Sequence, residues 1–210
     1  MYKGLYDKFK TWFHGGQVYF YSDPHLAEEE MKYIRHNYIG DEEQIKRINS
    51  KIGKNDTLVI LGDIGDINWV KKIRGYKVLI QGNHDAGATK YERVKLKVWD
   101  EEKEKFIVKD NYLFDEVYEG CLMISDKIIL SHEPIGFKYA LNIHGHDHSN
   151  REEKELGKQY LNVCAEHIDY TPVCLKDIIK SGKLKNIPDV HRETIDTATK
   201  KKLQKKLKEH

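Results

Sequence analysis

Cysteine, proline and long apolar runs are all scarce in this 210-residue chain. The three cysteines, Cys121, Cys164 and Cys174, show no Cys-x-x-Cys spacing, which excludes a disulfide framework and a zinc knuckle and leaves reduced, partly buried thiols as the expectation. With four prolines there is no Pro/Ser-rich linker, and no internal repeat divides the chain. The longest apolar runs, over 18–21, 58–61 and 128–130, fall far short of the ~20 residues that span a bilayer. Residues 1–11 alternate charged and aromatic side chains without the apolar run of a signal peptide. A cytoplasmic setting without a membrane partner is therefore expected. Charge of one sign is also lacking: 36 basic and 34 acidic residues leave +2, so overall charge does not mark a nucleic-acid binder. What is present is a 39% apolar content, enough for a core, and eleven histidines. The charge is uneven. Residues 200–210 hold six Lys and one Glu, and the remaining body has 30 basic against 33 acidic residues.

Short apolar runs alternate with charged, helix-like segments. Residues 17–21 read as a strand rich in Val, Tyr and Phe. Residues 27–36 read as a helix, with Met31, Ile34 and Tyr38 at suitable spacing. Asp41 opens a second helix, with Ile45, Ile48 and Ile52 in one stripe and Gly53 as its stop. Residues 57–61, Thr-Leu-Val-Ile-Leu, suit a strand covered on both faces. A short helix over 68–73 leads to a third strand over 77–80. The highly charged stretch 86–111 is expected to form one or two helices, solvated on the outside or capping a site. Hairpin strands are expected over 116–124 and 127–131, further strands over 141–144 and 159–163, and a short helix over 175–180. A βαβα beginning followed mostly by β predicts an α/β domain with at least one mixed sheet.

The strand ends share one feature. They run into Asp23-Pro24-His25, Gly62-Asp63-Ile64-Gly65-Asp66, Gly82-Asn83-His84-Asp85, Ser131-His132-Glu133-Pro134 and His144-Gly145-His146-Asp147-His148. In open α/β sheets ligands bind at the carboxyl ends of strands. Each piece alone is as well explained by a capped turn or a surface loop. Their joint occurrence, in order and each after a β segment, points to a metal site.

That string resembles the signature of the calcineurin-like metallophosphoesterases, and small bacterial and phage members are similar also around Ser131 to Pro134. The resemblance runs from about Tyr19 to His148. It implies a fold of two mixed β-sheets packed face to face with helices outside, an α/β/β/α sandwich. It implies one domain over 1–187, with 188–210 as a basic tail or helix. It further implies two divalent metal ions, the first bound by Asp23, His25 and His148 and the second by Asn83, His132 and His146, with Asp63 bridging. The mixed N/O donor set without thiolate suits Mn first, with Fe, Zn, Ni, Co or Mg as the other choices. The implied nucleophile is a metal-bridging hydroxide. The implied role of His84 is to stabilise the transition state or protonate the leaving alkoxide, with Asp66 orienting it. Asp85 is expected as a turn residue or as an anchor behind the ligands. Where small members carry a further Gly-His, this chain has Leu26-Ala27-Glu28-Glu29.

The implied function is hydrolysis of a phosphate ester. A phosphodiesterase is favoured because no additional Arg cluster stands in the motifs to hold a dianionic monoester. The alternatives are a phosphomonoesterase acting on small molecules or phosphoproteins, a nuclease or nucleic-acid-processing enzyme, and a non-catalytic scaffold on the same fold. A scaffold should lack ligands or His84, and none is missing. The six lysines around Leu203 and Leu207 read as a short amphipathic helix that binds nucleic acid or an anionic substrate, or, more simply, as a frayed solvated end. Nothing in the sequence sets the oligomeric state.

Overall fold

A computed structural model describes residues 4–85, 94–111, 113–149, 157–188 and 190–208. The chain is a mixed α/β protein built on two mixed sheets. The first has the order β11-β1-β2-β3-β6, from β11 (Val173–Cys174), β1 (Val18–Tyr21), β2 (Thr57–Ile60), β3 (Tyr76–Ile80) and β6 (Glu116–Tyr118). Its strands run parallel apart from β11. The second has the order β10-β9-β8-β7, from β10 (Tyr160–Asn162), β9 (Leu141–His144), β8 (Ile128–Leu130) and β7 (Leu122–Ser125), with β7 the antiparallel member.

The side-chain period of two divides the first sheet between two cores. Val18, Phe20, Val59, Leu61, Val78 and Ile80 pack with Ile124, Ile128, Leu130, Leu141 and Ile143 of the second sheet. The alternate residues Tyr21, Leu58, Ile60 and Leu79 pack on the other face against Ile45, Ile48 and Ile52 of the Asp41–Lys51 segment and its end. A sheet covered on both faces has no polar side to present, which is why 57–61 carries no alternation. The Asp41–Lys51 helix begins with Asp41, Glu42 and Glu43, the charges that favour a helix N-terminus. Its buried Gln44 accepts from the Tyr21 hydroxyl at 2.6 Å and donates to the Pro24 carbonyl at 3.0 Å, so the helix holds the loop after β1.

Three expectations are corrected. Part of the 86–111 stretch forms an antiparallel hairpin rather than helices, β4 (Val94–Asp100) paired with β5 (Lys105–Asn111); the expectation for 86–93 lies outside the described residues. The strand expected over 116–124 is two strands in different sheets, since β6 pairs with β3 and β7 pairs with β8. The helix expected over 27–36 shrinks to Met31–Ile34, because Arg35 turns to an extended conformation and buries its side chain. At the other end of the chain, Val190–Lys208 forms one helix with its described residues largely exposed. Among the described residues no helix is long and apolar enough to cross a membrane.

Candidate metal centre

The loops after β1 and β2 continue the parallel pairing of their strands. Asp23, His25 and Leu26 donate their amides to Gly62, Asp63 and Ile64 at 2.8–3.0 Å. This brings the first two motifs side by side. The third joins through Asp85, whose buried carboxylate accepts from the amides of Gly82, Asp63 and Ile64 at 2.8–3.0 Å. Asp85 thus fixes the turn that carries Asn83 and His84 against the one that carries Asp63. Gly62 sits at φ +90°, and a Cβ there would stand 2.5 Å from His132 Nδ1, so the second loop admits the histidine only because this residue is glycine.

Two groups of ligand atoms converge at these strand ends, Asp23 with His25 and His148, and Asp63 with His132 and His146. Each group could hold a metal ion. In the first, the His25 Nε2 and His148 Nε2 atoms lie 3.8 and 3.7 Å from Asp23 Oδ1. In the second, His132 Nε2 lies 3.3 Å from Asp63 Oδ2, 3.2 Å from His146 Nδ1 and 2.8 Å from Asn83 Oδ1. Asp63 stands between the groups, since its Oδ2 is also 3.8 Å from His25 Nε2.

The donor chemistry fits a cation in each group. His25 Nδ1 donates to Glu28 at 2.7 Å and His148 Nδ1 donates to Glu166, so both rings turn an Nε2 lone pair inward. Asp23 Oδ1 and His25 Nε2 are buried with no hydrogen-bond partner. Buried polar atoms left this way carry a penalty of about 1–3 kcal/mol each, which a bound ion removes. In the second group His132 Nδ1 donates to the Leu61 carbonyl at 2.7 Å, leaving its Nε2 facing the Asp63 and Asn83 oxygens and His146 Nδ1. Only a proton or a cation can hold such atoms together. Accordingly, burial disfavours charge on His132, but the Asp63 hydrogen bond and the Asp23 and Asp63 charges outweigh it and push the group up to about 9. Burial would raise the carboxyls of Asp23 and Asp63, yet the imidazoles beside them, His25 for Asp23 and His132 for Asp63, and the amides of His146 and His84 hold both below the usual range.

Backbone conformation carries the same message. Among the described residues, eight non-glycine residues have positive φ, and Asp23, His25, Asp63 and His146 are four of them. Such conformations persist where surrounding structure enforces them, and they cluster at functional sites.

His84 is exposed beside the first group, its ring 5.7 Å from that of His25, and its amide donates to Asp63 Oδ1 at 2.9 Å. Asp66 is placed elsewhere. Its carboxylate caps the Ile67–Lys72 turn by accepting from the Asn68 amide at 2.9 Å, and no bond joins it to His84 among the described residues.

Sequence reasoning missed the supports behind the ligands. Arg35, 2% exposed, donates to the Asp23 carbonyl and sits 3.1 Å from Glu166, which in turn holds His148. Glu28 plays the same part for His25, and the Cys164 thiol donates to Asp23 Oδ2 at 3.2 Å. Carboxylates behind ligand histidines fix tautomer and ring orientation. Glu28, three residues after His25, was within reach of a spacing argument. Arg35 and Glu166 meet only in three dimensions.

No protein-family model matches the chain, and no curated protein matches it in sequence. A solved structure does share its fold. The protein of unknown function AQ665 from Aquifex aeolicus is 25% identical over 78% of this chain and 98% of its own, with a TM-score of 0.57. The Pseudomonas putida nuclease MPE is 20% identical over 62% of this chain and 60% of its own, at a TM-score of 0.37, too low for a shared architecture to follow.

Proposed function

We propose that the chain is a dinuclear-metal-dependent phosphoesterase of the calcineurin-like type, acting in the cytoplasm. The observation that carries this reading is the pair of ligand groups meeting at Asp63, with Asp23 Oδ1 and His25 Nε2 of the first group buried and without a hydrogen-bond partner. Asp23, His25 and His148 would hold one ion, Asn83, His132 and His146 the other, with the Asp63 carboxylate placed to serve both. Two such ions supply Lewis acidity to the phosphoryl oxygens and acidify a water for in-line attack. Asn83 adds a ligand without adding negative charge, so the site stays electrophilic. Glu28, Glu166 and Arg35 keep the histidine rings in place. As the phosphorus–oxygen ester bond breaks, its electron pair goes to the leaving oxygen, and His84 gives that oxygen a proton. Asp66 caps the turn that follows it, so the orienting part expected of it toward His84 has no hydrogen bond behind it among the described residues.

A diester is favoured over a monoester. Arg35 is the one arginine bonded to a site residue among the described residues, and Glu166 and the Asp23 carbonyl already occupy it. Among the described residues no further guanidinium is bonded at the site to fork onto the extra charge of a monoester dianion.

The test is turnover of bis(4-nitrophenyl) phosphate and 4-nitrophenyl phosphate by metal-stripped protein restored with Mn, Ni, Zn or Mg. Activity returning with about two ions per chain supports the reading. No turnover with any metal, together with no metal bound, sinks it. Asp63→Asn should abolish turnover and weaken metal binding. His84→Ala should cut turnover by roughly 10²–10⁴ with both ions retained, as loss of a general acid does. Loss of metal in His84→Ala overturns that division of roles.

A further inference from the structure

Two exposed elements lie outside both main sheets. The first is the β4–β5 hairpin, a sheet of two strands that no other strand joins among the described residues. A two-stranded sheet is marginally stable in water unless something packs on it. Near its end Trp99 and Phe106 face each other across the strands with ring centroids 5.0 Å apart, yet they are 51% and 61% exposed. The turn beyond them, residues 100–104, holds four acids and one lysine. Glu101, Glu102 and Glu104 are exposed, and Lys103 Nζ sits 3.4 Å from Asp100. The second element is the Val190–Lys208 helix. Its last nine residues hold six lysines and no acid. Leu203 and Leu207 stand four apart, as neighbours on one face, and are 56% and 79% exposed. Lys200, three residues before Leu203, flanks them and is exposed too.

We infer that these two surfaces form one interface between two copies of this chain. The hairpin end of one protomer lies on the 200–208 turns of its partner's helix, and the partner's hairpin lies on the first helix in return. Spacing and charge both fit. At 1.5 Å per residue the two leucines stand about 6 Å apart along the helix, close to the 5.0 Å between the aromatic rings. The acidic turn beside the rings meets the lysines beside the leucines, so docking covers apolar surface and pairs opposite charges in the same step. The chain's own helix is not the occupant. Glu193 ties the start of that helix to Lys138 and Tyr139, and with this anchor made both surfaces stay exposed. A second copy covers them with the anchor intact. Two-fold symmetry makes the contact twice and closes the assembly. So few apolar side chains and such exposed ion pairs give a weak dimer, with a Kd on the order of 10 µM. At that affinity the dimer adds little to the thermal stability of a dilute sample. The metal groups take no part, so the dimer does not depend on the phosphoesterase reading.

Sedimentation of the full chain should show a monomer–dimer equilibrium at low salt, with an association constant that falls about tenfold or more at high salt. The Trp99→Ser, Phe106→Ser double variant should be monomeric. Two charge variants test the pairing. Glu101→Lys, Glu102→Lys, Glu104→Lys reverses the turn, and Lys200→Glu, Lys201→Glu, Lys202→Glu, Lys205→Glu reverses the helix. Each alone should be monomeric. Mixed in equal amounts they should form a heterodimer, because reversed turn meets reversed helix at one contact and unchanged turn meets unchanged helix at the other. A full chain that stays monomeric at every concentration overturns the inference. So does a dimer that survives all three variants, or a mixture that forms no heterodimer. If the aromatic double variant changes the Stokes radius of a monomer, the chain's own helix is the occupant and a second copy is not. If the chain stays monomeric and its helix lysines bind a single-stranded oligonucleotide, the occupant is a polyanion and the dimer assignment is wrong.

Discussion

Single residues at this site are held in protonation states set by the charges packed around them. His132 is the clearest case. Burial favours its neutral form, but the Asp63 hydrogen bond and the charges of Asp23 and Asp63 raise it to about 9, so in the metal-free chain it is an imidazolium at neutral pH. Its Nε2 is the atom that a metal must take, so ion and proton compete for it. Metal affinity should then climb between pH 7 and pH 9 by up to ~tenfold per unit and level off above, with close to one proton released per chain from His132 at pH 7. Calorimetry in buffers of different ionisation enthalpy measures that proton directly. The stability consequence has the opposite slope. A group with a raised value stabilises the folded chain fully below its unfolded value of ~6.5 and loses that contribution as pH rises through about 9. Protein kept in chelator should lose thermal stability from pH 7 to pH 9, and Mn-loaded protein should not. A flat metal affinity across this range would remove His132 Nε2 from the second group.

At the scale of elements, what the sequence made legible was whatever strands dictate locally. Leu58, Val59, Ile60 and Leu61 announce a strand buried on both faces, and the acids and histidines follow directly where the strands stop. The hairpin was legible too, in the strict alternation Val94-Lys95-Leu96-Lys97-Val98, but the charge of the surrounding stretch pointed to helix. The 27–36 segment failed for another reason. Its spacing is helical, yet the partners of Arg35 are Asp23 and Glu166, and reaching them ends the helix. No local pattern encodes a partner so far along the chain. The close approach of the loops after β1 and β9 was equally invisible. A Cβ on Gly145 would stand 1.8 Å from Ser22 Oγ and 2.2 Å from Asp23 Oδ2. Gly145→Ala must push the two loops apart, at a cost of about 1–3 kcal/mol as for other overpacked sites. Urea unfolding should show that loss, and metal analysis should show the first group emptied. Gly136→Ala is the control: its Cβ meets only the Tyr160 hydroxyl, at 3.3 Å, so metal content should hold. Full metal retention in Gly145→Ala would mean that the loops have more freedom than their contacts imply.

Across the whole molecule, one chain path builds both sheets and leaves a basic helix outside them. The crossing at residues 119–121 carries the backbone from the first sheet to the second, and it walls a cavity beside the metal groups. The Val190–Lys208 helix stands differently. Val190, Ile195, Leu203 and Leu207 are all exposed, so its apolar residues do not face a core. Its described anchor is Glu193, which accepts from Lys138 Nζ at 2.7 Å and from the Tyr139 hydroxyl at 2.6 Å, in the loop that follows His132. Such exposed pairs add little to folding and weaken with salt. The two sheets and the site draw their burial from residues before Pro188, so we propose that residues 1–187 fold and bind metal alone. Truncation after Ile187 should leave Tm within about 4 °C of the full chain, the shift that about 1–2 kcal/mol gives a chain of this size. Far-ultraviolet dichroism should lose one helix, and two ions should still bind. If kcat/KM for the chromogenic esters also stays put, the helix is no part of the small-substrate site. A truncated chain that aggregates or loses metal would show instead that Glu193, by holding the loop after His132, is needed to shape the second ligand group.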